Sequence, residues 1–186
     1  MVIESRYWRE QLRLEISELK RKQSYRRWTE KQLVLYERKL MLVAFQVRSL
    51  LERPKVNDTA RRTAMPVIRY KKVGDRPFTY TGSDWPEDCF DMDHPEKVQL
   101  SAIDVCNQLI HYYWMQTWSE GTKFSGMLVF SDYMRHKCAY EFRIDDLLGL
   151  FQAFSQDSSV IIESHSRWNE KKQDYVVFRA ISPADA

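Results

Sequence analysis

At 186 residues, 44% of them hydrophobic and 13% aromatic, the chain has enough apolar side chains for one domain plus an extension, and its 5 Gly and 6 Pro exclude a low-complexity tail. Three cysteines, Cys89, Cys106 and Cys138, an odd number without a CxxC pair, argue against a disulfide framework and a structural zinc site. The net charge of +3 hides a division: residues 1–72 carry 19 Lys and Arg against 8 Asp and Glu, and residues 73–186 carry 10 against 18.

A basic half of +11 joined to an acidic half of −8 points to an electrostatic arm on a globular body. Glu4 interrupts the first apolar residues, so neither a signal-peptide core nor a membrane-spanning run is present there. A cytoplasmic protein is expected, and a membrane partner is not.

Residues 1–53 read as a basic helical arm. Leu33, Tyr36, Leu40, Val43, Val47 and Leu50 are spaced 3, 4, 3, 4, 3, a heptad seam over residues 33–51. Carried backwards, the same frame meets Trp8, Leu12 and Leu19 but also Glu15, Lys22, Arg26 and Thr29, so the seam fails between about residues 20 and 30. Thr29 and Gln32 have the spacing of a capping box, which starts a second helix near Glu30. The segment KRKQSYRRWTEK has no Gly or Pro, so a single helix of roughly 75 Å is equally allowed. Pro54 stops the helix by Arg53.

Residues 54–66 read as a linker and residues 67–182 as the body. Val67–Val73 and Phe78–Thr81 are expected to form a hairpin through Gly74-Asp75-Arg76-Pro77. An acidic loop over 84–96 leads to a helix capped by Ser101 and Asp104, its apolar positions at helical spacing to Trp118 and Gly121 just beyond its end. Phe124–Phe130 and Cys138–Ile144 form a second hairpin, Asp145–Phe154 a short helix, and Val160–Ser164 and Tyr175–Ile181 two strands around the loop RWNEKKQD. The order is ββαββαββ, an α+β fold in which an antiparallel sheet packs its helices on one face.

Arg6, Arg13, Lys20 and Arg27 lie seven apart and, with Lys31 and Arg38, form one basic stripe if the helix is continuous. Arg61 and Arg62 in the linker extend it. Such a stripe suits phosphates, whose neutralisation releases counterions, but it also suits the solvated face of a coiled coil. Asp91, Asp93 and His94 in the acidic loop are oxygen and imidazole groups without the spacing of a known metal site, so no metal is assigned. The loop's carboxylates are expected to favour the following helix N-terminus or to dock on the basic arm.

Asp132, Glu141 and Arg143 have a loose likeness to the D…ExK carboxylates of metal-dependent nucleases, with Arg in place of Lys. No base is indicated for a cysteine nucleophile, and the three thiols are read as packing residues. His111, Trp114 and Trp118 are core candidates first. No glycine-rich phosphate loop or dinucleotide fingerprint is present, so no cofactor is assigned. The expectation is a non-catalytic assembly protein, a homo-oligomer or a binder of a protein partner, joined through Leu33, Tyr36, Leu40, Val43, Val47 and Leu50. The alternative is a nucleic-acid-binding accessory protein using the basic arm and linker, and a metal-dependent nuclease comes third.

Overall fold

The computed structural model describes residues 5–25, 27–52, 56, 58–79, 85–156 and 163–181. The arm is two helices, α1 (Ser5–Gln23) and α2 (Glu30–Glu52). Both arms of the capping box form: Gln32 Oε1 accepts from the Thr29 N–H at 2.9 Å, and Thr29 Oγ1 accepts from the Gln32 N–H at 3.3 Å. The chain also turns because neighbouring residues anchor it. Gln23 Nε2 donates to the Phe124 carbonyl at 3.0 Å and to Asp145 Oδ1 at 2.9 Å, and the Trp28 ring lies 5.3 Å from both Tyr36 and Phe124.

Next come α3 (Asp58–Arg61), β1 (Ala64–Lys71), α4 (Pro86–Cys89), β2 (Glu96–Ser101), α5 (Ala102–Ile110) and β3 (Tyr112–Glu120). The chain continues through β4 (Lys123–Ser131), β5 (Cys138–Arg143), α6 (Ile144–Gln156), β6 (Glu163–Asn169) and β7 (Asp174–Ile181). Five strands form an antiparallel sheet in the order β2-β1-β5-β4-β3, and β6 and β7 form a separate antiparallel pair. The class is therefore α+β, as the sequence predicts, but the element order differs in two places and the bounds of β6 in a third.

The expected first hairpin is absent from the described residues: Phe78 and Thr79 are not in a strand, and residues 80–81 lie outside what the structure describes. β1 pairs instead with β2, Val67 opposite Val98, in the segment between the acidic loop and the helix cap. That helix, α5, begins where its cap predicts, with Ser101 Oγ accepting from the Asp104 N–H at 3.3 Å, but it ends at Ile110. Tyr112–Glu120 is strand, since Tyr, Trp and Thr favour a pleated surface and β4 offers a ladder for it, with a register shift between Tyr112 and Trp114. Gly121 then makes the tight turn into β4 at φ +62°, with Glu120 opposite Lys123. Finally, β6 runs through Asn169 into the expected loop, while residues 160–162 of its expected start lie outside the described residues.

Strand alternation separates two apolar layers. Cys138, Tyr140 and Phe142 of β5 join Met65, Val67, Met127 and Val129 under the helices, in one cluster with Leu12, Tyr36, Leu40, Val47, Leu109, Leu147 and Phe151. Ala139, Tyr70, Leu128 and Phe130 face the other way, covered by Phe78, Cys89 and Phe90 of the segment after β1. The Phe78 ring stacks on Phe130 with centroids 4.6 Å apart. On this second face the Trp118 indole lies against Gly126, where an added Cβ would sit 2.1 Å from the ring. The arm and the body thus share one core. The linker is part of it too, since Val56 is buried and Ala60 packs against the same cluster.

Candidate interaction surface

Four helices form a layer on one face of the sheet, and polar contacts fix their order. Glu18 of α1 pairs with Lys39 of α2, and Gln46 Nε2 donates to Glu15 Oε2 at 2.8 Å, so the two helices run antiparallel. Hydrogen bonds from Lys22 and Lys39 hold the Glu18 carboxyl down at about 2. On the other side of α1, Arg13 Nε donates to the Ser155 carbonyl at 2.9 Å and Lys20 Nζ donates to Gln152 Oε1, tying α1 to the last turn of α6. Arg48 Nη1 lies 3.2 Å from His111 Nε2, joining α2 to the end of α5. The sequence across the layer is α6, α1, α2, α5.

A helix in such a layer has one face on the sheet and one in solvent. At 100° per residue, Tyr36, Leu40, Val43, Val47 and Leu50 occupy the inner arc of α2, and all are buried. The outer arc holds Val34, Leu35, Leu42 and Phe45, which are 41 to 54% exposed. Tyr7 and Leu14 on the outer side of α1 are 64% and 63% exposed. A groove of about 300 Å³ lined by Tyr7, Trp8, Gln11 and Gln46 opens between the two helices. Lys31 and Arg38 stand exposed among the apolar residues of α2, with no ion-pair partner among the described residues. Glu52 marks the other end of the helix and pairs with Arg48 at 2.9 Å.

The interface residues predicted from the heptad seam are placed elsewhere. Tyr36, Leu40, Val43, Val47 and Leu50 are core, Leu33 packs half-buried against them, and the chain's own sheet and helices cover the seam. The reason is physical: the seam is the most continuous apolar stripe in α2, and the sheet is the nearest apolar surface that can bury it. The basic stripe is divided by the turn between the helices. Arg6 is exposed on α1, Arg13 and Lys20 lie against α6, and Arg27 is exposed in the connection. Lys31 and Arg38 belong to the outer face of α2, Arg61 is half-buried at the end of α3, and Arg62 is exposed beside it.

In the acidic loop, Asp91 and His94 form a pair with Asp91 Oδ1 2.9 Å from His94 Nδ1, while Asp93 is exposed. Each group shifts the other, the imidazole upward and the carboxyl downward. Among the described residues no group of three or more ligands that could hold a metal ion forms. Glu96 pairs with Arg69 at 2.6 Å and with Lys71, so this end of the loop docks on β1 and not on the helical arm.

The nuclease-like residues are not gathered. Glu141 lies opposite Leu128, whereas Asp132 follows the end of β4 four residues further on, about 13 Å along the strand. Glu141 accepts instead from the Tyr70 hydroxyl at 2.7 Å, and Arg143 pairs with Glu120 at 2.7 Å. All three cysteines are buried and unbridged, and burial pushes the Cys106 thiol up to about 12. His111 meets Tyr133 edge-on at 5.1 Å. Trp114 and Trp118 pack half-buried against the second core layer.

The outer stripe of α2 escaped the sequence reading. Its signal is present, since Leu35 and Leu42 are seven apart and Phe45 follows three later, a second heptad-like series opposite the first. Arg38 falls inside that series and breaks it. Among the described residues, no helix is long and apolar enough to cross a membrane. Compared with protein-family models, curated protein sequences and solved structures, the chain matches none of them.

Proposed function

We propose that this chain is an interaction and assembly protein whose contact surface is the outer face of the α1–α2 helix layer. The observation that carries the reading is that α2 is apolar on both faces. Its inner arc is consumed by the core, yet Val34, Leu35, Leu42 and Phe45 remain open to solvent. A helix apolar all round belongs in an interior, and a contiguous exposed apolar patch ringed by charge marks a docking surface on a folded protein. This surface replaces the inward seam as the site of assembly.

The test is the double variant Leu42→Glu/Phe45→Glu, which alters only exposed positions and keeps the native circular dichroism. In gel filtration with light scattering, on purified protein and in extract of its own cells, the wild type elutes as an assembly and the variant at monomer size. Identical monomer elution of both proteins in both settings would refute the reading.

A further inference from the structure

We propose that the occupant of this face is a second copy of the chain, with the two α2 helices packed antiparallel about an axis near Leu42 and Phe45. The inference rests on the docking surface proposed above and names its partner. Along the outer arc of α2, Lys31 and Arg38 stand exposed on the N-terminal half, and Glu52, which pairs with Arg48 within the chain, keeps its side chain 52% exposed at the C-terminal end. Parallel self-pairing stacks Arg38 on Arg38 and Lys31 on Lys31, which is repulsive. Antiparallel pairing inserts Leu42 of one copy against Phe45 of the other and brings Glu52 within one helical turn of the opposite Arg38.

The two cations, which have no ion-pair partner among the described residues, thereby gain an acidic neighbour, while an unrelated apolar partner would leave them uncompensated. Area supports the same occupant. Six outward side chains, four on α2 together with Tyr7 and Leu14, are each 41 to 64% exposed. At about 100 Å² apiece they offer about 600 Å² per copy, close to the roughly 800 Å² per side of a standard specific interface once the rim is added.

The experiment uses the full chain and introduced cysteines, because the native thiols are buried. Light scattering of the wild type should give twice the 22.4 kDa chain mass. Mild oxidation of a mixture of Leu42→Cys and Phe45→Cys proteins should give a mixed disulfide dimer. Leu35→Cys alone should not self-link, since antiparallel packing separates the two copies of residue 35 by about 25 Å. Arg38→Glu should weaken dimerisation about tenfold, two ion pairs being lost per dimer, and Arg38→Glu/Glu52→Arg should restore it.

A wild type that remains monomeric at about 100 µM would overturn the self-pairing, as would self-linked Leu35→Cys or failure of the charge exchange to rescue. A purified monomer that still elutes in a larger, Leu42- and Phe45-dependent complex in extract would overturn self-pairing and leave the docking surface standing. Face-independent elution in both settings would remove both.

Discussion

Leu40 and Leu42 sit two residues apart in the same helix and differ only in where they point, so truncating each measures the layer directly. Leu40 is 0% exposed and Leu42 is 47% exposed. Leu40→Ala removes buried methyl groups and leaves a cavity among Tyr36, Val43 and the strand side chains of the same cluster, a loss of about 3 to 4 kcal/mol. Leu42→Ala removes side chain that is already half in water, and Ala is the better helix former, so the folded monomer should change by less than about 0.5 kcal/mol. The assay is urea unfolding followed by circular dichroism, at protein concentrations below any self-association. With a slope of about 2 kcal/mol per molar, the Leu40→Ala midpoint should fall by about 1.5 to 2 M and the Leu42→Ala midpoint by under about 0.3 M. Equal shifts in the two variants, or a Leu40→Ala shift below about 0.5 M, would refute the assignment of inner and outer arcs.

The Glu18 carboxyl, held at about 2 against an ordinary 4.5, contributes stability that is present above pH 4.5 and lost as pH falls from 4.5 toward 2; Lys123 and Gln23 lower Asp145 in the same sense. Glu18→Gln should cost about 1 kcal/mol at neutral pH, reduced from the full shift because the side chain is 32% exposed, and thermal melts at several pH values should show a shallower acid slope; an unchanged slope counts against the Lys22–Glu18–Lys39 bridge. Gly126→Val should expel the Trp118 indole, red-shift the tryptophan emission and cost about 1 to 3 kcal/mol, whereas unaltered emission would contradict the close approach of ring to backbone. Cys106 should resist a thiol reagent until the protein unfolds, and Cys106→Ser should cost about 1 to 3 kcal/mol by burying a hydroxyl, with the assembly state unchanged; rapid labelling in the folded protein would contradict its complete burial.

Local chemistry was legible in the sequence because it depends on neighbours a few residues apart. The Thr29–Gln32 box, the Ser101 cap, the hairpin of β4 and β5 and the amphipathic α6 each draw on side chains within one or two turns, and from them the α+β class follows. What periodicity left undetermined was which of two compatible readings a segment takes. Tyr112–Trp118 combines helical spacing with residues that favour a strand, and it became β3 because β4 offered a ladder with Trp118 seated on Gly126. Val98 entered a strand because β1 needed an edge partner that the Phe78 segment did not supply. The same holds for function. The seam from Leu33 to Leu50 announces an apolar face that must be covered, but spacing within one helix carries no information about what covers it. Only the folded sheet decided that its own chain fills that role, and by turning the seam inward it placed Leu35, Leu42 and Phe45 in solvent, because a helix rotated to bury one stripe must expose the opposite one.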